Sequence, residues 1–297
     1  MLMYWFLKFF PTVCLLLAFC YSHSQTTTNL EEQKETLNKG SIIKGSFYKI
    51  KKSEAFAAVN QSSHFGLFHD NYFVSGIPTN KKISRNTIDA KFQVSIQQRI
   101  IKGNLPLNSF LFLTYTQKAF WSIGKESKPF TDNNFNPGVS MSSLLLLDSK
   151  LRGIFVFSIE HESNGRDSIQ SRSWNYTALS YTHFYNIWFS SQVKMWGGWI
   201  DEKNNHDLLT YKGYGLVAFN YQSKSDRLWV SLILNPTNRL NNCNTTVEVN
   251  FKTGPNVNQF LFLQYYSGFG ENMLDYSNYT SMVRVGICIK PSIKNFY

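Results

Sequence analysis

From about residue 62 to the C-terminus the chain breaks into short runs rich in Val, Ile, Phe, Tyr and Thr, separated by clusters of Asn, Asp, Gly, Ser and Lys. Runs of this kind, bounded by turn residues, read as β-strands. Twelve candidate strands begin near Asn71, Ala90, Phe110, Gly138, Leu151, Trp174, Ile187, Tyr211, Arg227, Cys243, Gln259 and Tyr279. The alternation is plainest in the run from Leu151. Leu151, Gly153, Phe155, Phe157 and Ile159 fall on one face, continued by His161 and Ser163, while Arg152, Glu160 and Glu162 fall on the other. Side chains alternate faces with period two, so this pattern describes a strand with lipid on one side and a hydrated interior on the other. Tight breaks at Asp148-Ser149-Lys150 and Tyr185-Asn186 contrast with long polar ones over 124–137, 164–173 and 201–209. Short turns on one rim and long loops on the other predict an all-β fold, a transmembrane antiparallel up-and-down β-barrel of about twelve strands.

Composition agrees. Aromatic residues make up 16% of the 297, and charged residues also only 16%, against about 25% charged in an ordinary soluble domain. Mean hydropathy is nonetheless slightly negative, and beyond the N-terminus no stretch approaches the ~18 consecutive apolar residues of a spanning helix. The N-terminus reads as a secretory signal over 1–24: an apolar start with Lys8, an apolar run from Thr12 to Phe19, and Tyr21-Ser22-His23-Ser24 before a cut near Ser24/Gln25. Leu17-Ala18-Phe19-Cys20 resembles a lipoprotein box, but the bulky Phe19 stands where a small residue is expected, so plain secretion is preferred. Residues 25–61 read as a polar periplasmic lead-in and 62–297 as the barrel, which closes on the aromatic pair Phe296-Tyr297. A secreted chain of alternating strands is expected in the cell outer membrane. The net charge of +11 fits attraction to anionic lipid or lipopolysaccharide, or simply a basic surface. Nucleic acid is disfavoured, because Lys and Arg are scattered and the main cluster is Lys49-Ile50-Lys51-Lys52. Of the cysteines past the signal, Cys243 and Cys288, pairing is open and a packing role is preferred.

Two polar residues end an otherwise greasy face. His161 and Ser163 lie two apart, roughly 7 Å at Cα, and point the same way. Asn175 begins the next strand of the hairpin and can lie beside His161 to hold its ring. Nucleophile, base and orienter are the parts of a hydrolytic triad, although His-x-Ser on a strand is also what an ordinary half-buried pair looks like. An Asn can fix the tautomer but cannot offset imidazolium charge, so a cation would help. The intervening loop offers oxygens from Asp167, Ser168 and Ser171, which suits calcium.

The run Glu160 to Asn175, EHESNGRDSIQSRSWN, resembles the signature of the outer membrane phospholipase A family, a His-x-Ser-Asn-Gly-Arg element followed by Ser-Arg-Ser-Trp-Asn. Tyr115-Thr116-Gln117-Lys118, followed by Ser127-Lys128-Pro129-Phe130, is a second match. The resemblance implies a twelve-stranded, calcium-dependent barrel active as a homodimer on membrane phospholipids, yielding lysophospholipid and fatty acid. It implies Ser163 as nucleophile, His161 as general base, Asn175 as its orienter and Gly165 as oxyanion donor. Calcium would be held by the Arg166 carbonyl and the Ser171 hydroxyl, with a carbonyl near Ser127 from a second subunit, and Gln117 would bond across the dimer. This chain departs from the family in carrying Ser127-Lys128 where two serines are common, and in a shorter loop over 124–128. The competing readings are a non-enzymatic porin, against which Phe110, Phe112 and Phe120 on an inward face argue, and a hydrolase of lipid A acyl chains.

Overall fold

The computed structural model describes residues 63–291, apart from 102–104, 148–149, 187, 239–241 and 255–256. The expected signal peptide, the lead-in over 25–61 and the terminal Phe296-Tyr297 lie outside the described residues. The strands are β1 (Phe65–Leu67), β2 (Asn71–Pro78), β3 (Asp89–Ile101), β4 (Phe110–Trp121), β5 (Phe130–Leu147), β6 (Lys150–Ser163), β7 (Ser173–Phe184), β8 (Phe189–Ile200), β9 (Gly215–Gln222), β10 (Leu228–Pro236), β11 (Cys243–Lys252), β12 (Gln259–Gly268) and β13 (Thr280–Ile289). Two short helices, α1 (Glu202–Asn205) and α2 (Leu208–Lys212), lie between β8 and β9. From β2 to β13 each strand pairs antiparallel with the next, and β13 pairs back onto β2, closing a twelve-strand up-and-down barrel. The short β1 pairs with Ile96–Gln98 of β3, in line with β2, which pairs with the earlier part of β3. The break between them is bridged by side chains: Ser95 Oγ accepts from the His69 N–H, and Asn71 Oδ1 accepts from the Ser95 N–H.

The period-two pattern fixes which face is which. On β6, Phe155, Phe157 and Ile159 are exposed, whereas Ser158, Glu160 and Glu162 are buried inward. The interior is polar and filled. Lys91 donates to Gln264 and Glu271, both at 3.0 Å, and Arg284 bridges Asp89 at 2.7 Å and Glu271 at 2.6 Å. A cavity of about 270 Å³ remains among these groups. On the rim of long loops, Leu208 and Leu209 of α2 pack with Met273 and Tyr276 of the β12–β13 loop against Trp174 and Tyr176. Such an interior is unlike the water-filled lumen of a porin.

Several expected boundaries differ, each for a local reason. β5 starts at Phe130 rather than Gly138, so the long loop expected over 124–137 contracts to a turn after Trp121. Its first residues are polar because they face a polar interior. Asp132 Oδ2 there accepts from the Asn134 amide at 2.6 Å and from the Met273 N–H at 3.0 Å. Tyr211 lies in α2, not at the start of a strand; Leu208 and Leu209 anchor that helix, and Gly213, at φ 65°, ends it two residues before β9. The strand expected from Ile187 begins at Phe189, after a turn in which Asn186 Oδ1 accepts from the Trp188 and Phe189 N–H groups. The β5–β6 register slips at Leu145/Leu146, and Leu151 and Gly153 are both buried, so the exposed run of β6 begins at Phe155 rather than Leu151. Cys243 is exposed and Cys288 buried, and both are free thiols.

Candidate active site

His161 and Asn175 are directly opposed across β6 and β7, and both face outward. The ring Nδ1 lies 2.9 Å from Asn175 Oδ1. An amide oxygen can only accept, so Nδ1 carries the ring proton and Nε2 is left with its lone pair. Ser163 is the last residue of β6, on the same outward face and one row nearer the long-loop rim. Its hydroxyl makes no hydrogen bond among the described residues.

The inward face of the same strands holds this arrangement still. Glu160 accepts from Ser158 Oγ and the Tyr176 hydroxyl, each at 2.7 Å. Glu162 accepts from Trp174 Nε1 at 2.8 Å and from Lys212 Nζ at 2.5 Å. Pro137, opposite His161 in the β5–β6 register, has no N–H to give the ladder. The Asn136 amide takes over, donating to the His161 carbonyl at 3.0 Å. The outward groups are thus mounted on a strand locked from behind, as a preorganised site requires.

The loop from 164 to 172 is organised around buried Asn164. Its amide nitrogen donates to the Gln170 carbonyl at 2.9 Å, and its amide oxygen accepts from the Arg172 N–H at 3.0 Å. Gly165 sits at φ 66°, a region that favours glycine, and a Cβ there would approach the Phe135 ring to 2.9 Å. Its N–H finds no acceptor among the described residues. Arg166 reaches the Thr131 carbonyl at 2.6 Å, Gln170 Oε1 at 2.7 Å and Asp132 at 3.8 Å. Through Asp132 the loop is tied to the backbone of Met273 and Leu274 in the β12–β13 loop.

No cluster of three or more His, Cys, Asp or Glu suited to a metal occurs among the described residues, so a cation here would rely on carbonyl and hydroxyl oxygens. The Arg166 carbonyl and the Ser171 hydroxyl accept no hydrogen bond among the described residues. Hard neutral oxygens of this kind fit calcium, but calcium takes six to eight ligands, so water or another chain must supply the rest. Ser127 is exposed in the turn between β4 and β5, and no hydrogen bond joins it to the 164–172 loop among the described residues. The neighbouring Lys128 carbonyl is occupied by Trp121 Nε1 at 2.7 Å. Gln117 faces outward on β4 and accepts from its own Tyr115 hydroxyl at 3.0 Å.

The structure therefore joins His161 to Asn175, sets Ser163 on the same face, and gathers Gly165, Arg166 and Ser171 in one loop. Asp132, Asn136 and Asn164 escaped the reading of the sequence. Asn164 lies inside the recognised motif, and its neighbour Gly165 marks the bend it holds. Asp132 and Asn136 stood in a segment taken for loop, and their even spacing with Asn134 was the available signal.

The family model for phospholipase A1 matches residues 50–289. Phospholipase A1 of Salmonella typhimurium is 32% identical over 212 residues, covering 68% of this chain and 69% of the relative. That of Escherichia coli K12 is 31% identical over the same shares. The solved structure of outer membrane phospholipase A from Escherichia coli superposes with a TM-score of 0.67 at 22% identity, covering 77% of this chain and 99% of that one. The outer membrane phospholipase dimer of Salmonella typhi with bound calcium gives 0.68 at 22%, covering 80% and 96%. The closed barrel with an apolar outer wall, and a family match that runs through all of its described strands, show that this chain belongs to the phospholipase A1 family, as an outer-membrane β-barrel.

Proposed function

We propose that Ser163, His161 and Asn175 act as the catalytic triad of an outer-membrane phospholipase A, hydrolysing acyl ester bonds of the lipids that bathe its wall. The observation that carries this reading is the His161 Nδ1–Asn175 Oδ1 bond on the outward face. It leaves Nε2 free as a base beside a hydroxyl two residues away. Ser163 Oγ attacks the ester carbonyl while Nε2 takes its proton. The Gly165 N–H donates to the oxygen that gains charge, stabilisation of the kind that dominates acyl transfer. The intermediate collapses, and Nε2 returns the proton to the departing lysophospholipid oxygen. Water, deprotonated by the same nitrogen, then releases the fatty acid and restores Ser163.

The Arg166 carbonyl and the Ser171 hydroxyl would hold a calcium ion, with a carbonyl near Ser127 from a second copy of the chain and water supplying the remaining ligands. When bound, the ion supplies positive charge that neutral Asn175 does not. The relative solved as a calcium-bound dimer supports this pairing of metal and assembly, and Gln117, outward on β4, would meet its counterpart there. The basic surface fits contact with lipopolysaccharide.

The test is hydrolysis of a phospholipid by purified protein in detergent. Ser163→Ala should fold normally and lose at least about 1,000-fold in kcat, and chelation of calcium should abolish turnover by the wild type. Turnover by Ser163→Ala comparable to wild type would remove this serine from the mechanism.

A further inference from the structure

The outer wall below the His161–Asn175 pair has a gap in its cover of side chains. His161, Asn175 and Trp199 form one row across β6, β7 and β8. Ile159, Thr177 and Gly197 form the next row towards the middle of the strands, and Phe157, Leu179 and Met195 the row after. Trp199 and Met195 stand well out from the wall, 70% and 57% exposed. Between them Gly197 has no side chain, and nothing lies within 4 Å of where its Cβ would be. Gly198 is different: a Cβ there would come within 2.1 Å of the Asn175 carbonyl, so packing demands that glycine but not Gly197. The Thr177 hydroxyl donates to the Gly197 carbonyl at 3.5 Å, which turns one polar pair of the floor upon itself. β9 pairs with β8 only as far as Met195, and beyond it the exposed Tyr214, whose carbonyl accepts from the Trp196 N–H at 2.9 Å, borders that flank of the gap.

We propose that this notch is an acyl-chain subsite. One hydrocarbon chain of the phospholipid whose ester lies at Ser163 runs over Gly197, between Trp199 and Met195, with Ile159 and Leu179 beside it. The assignment rests on the reading of Ser163 as the nucleophile. The occupant follows from the location, since what covers the outer wall of a membrane barrel is lipid. The direction follows from the register: from the row of the catalytic ring to that of Met195 is four residues, about 13 Å along the strands. Moving a chain from bilayer to wall gains no hydrophobic free energy, because both surroundings are apolar. Fit must decide, and a rigid recess gives the methylenes dispersion contacts that a fluid neighbour does not hold in place. A glycine floor allows the closest approach to the backbone.

The experiment compares kcat/KM for long-chain and short-chain phosphatidylcholines in the same detergent, using full-length protein. Gly197→Phe should lower the preference for the long chain at least about fivefold, the effect of losing about ten carbon–carbon contacts. Val249→Phe, which enlarges an outward residue on β11, three strands round the wall from β8, should leave that preference unchanged. If Gly197→Phe does not fold, Gly197→Leu fills the same space, and Trp199→Ala removes the upper wall and should shift the preference the same way. An unaltered preference in the folded Gly197 variants, or an equal fall on both lipids, overturns the subsite. Activity of Ser163→Ala, or wild-type inactivity on both lipids, overturns the underlying reading instead.

Discussion

In the proposed triad an amide orienter gives His161 direction but no counter-charge. Asn175 Oδ1, 2.9 Å from Nδ1, fixes the tautomer that leaves Nε2 basic. It would do little for the imidazolium that the proposed mechanism forms when Ser163 gives up its proton. Removing it should therefore cost less than removing the nucleophile. Asn175→Ala is expected to fold and to lose about 10- to 100-fold in kcat, the worth of one hydrogen bond to a charged group. Steady-state kinetics beside Ser163→Ala checks this ranking. A loss as large as that of Ser163→Ala would mean that Asn175 does more than orient the ring.

At the scale of elements, the site is a strand locked from within joined to a loop held by Asn164 and Arg166. The backbone of Gly165 is fixed both by its own φ of 66° and by the nearness of Phe135. Gly165→Ala should incur strain of about 1–2 kcal/mol and tilt the N–H away from the nascent oxyanion. We expect kcat to fall at least about tenfold with KM nearly unchanged, as for a group that acts only in the transition state. Twelve strands and the outward placement of His161 and Ser163 were legible because the outer wall is apolar and the period is two. The first part of β5, before Gly138, was not, since Asp132, Asn134 and Asn136 are inward residues in a protein whose interior is polar, and polar residues in a row look like loop. α2 was hidden for a related reason: 201–209 reads as a polar loop and Tyr211 as the start of a strand, and only the packing of Leu208 and Leu209 against Met273 and Tyr276 shows them anchoring a helix. The pairing of His161 with Asn175 could be read from hairpin geometry, whereas the tie from Arg166 through Asp132 to Met273 joins segments more than a hundred residues apart in sequence.

For the molecule as a whole, the buried ion pairs set how the barrel responds to acid. Burial alone would raise the Glu271 carboxyl, but Arg284 and Lys91 outweigh it and hold the group at about 2, against about 4.3 for a free glutamate. A carboxyl lowered on folding stabilises the fold fully above its unfolded pKa and loses that contribution as the pH falls through the folded one. Glu271→Gln should thus destabilise the barrel by about 3–5 kcal/mol at neutral pH. The deficit should narrow below about pH 4 and vanish near pH 2. Urea midpoints of the two proteins across that range measure it, and a pH-independent difference would contradict the assignment.

Because the reactive groups stand on the outside of the wall, the enzyme meets its substrate as a neighbour in a plane and not as a solute entering a channel. Its effective substrate concentration is then the mole fraction of phospholipid around the barrel. Diluting that lipid with inert detergent, at constant bulk amount, should slow hydrolysis in proportion to the surface composition.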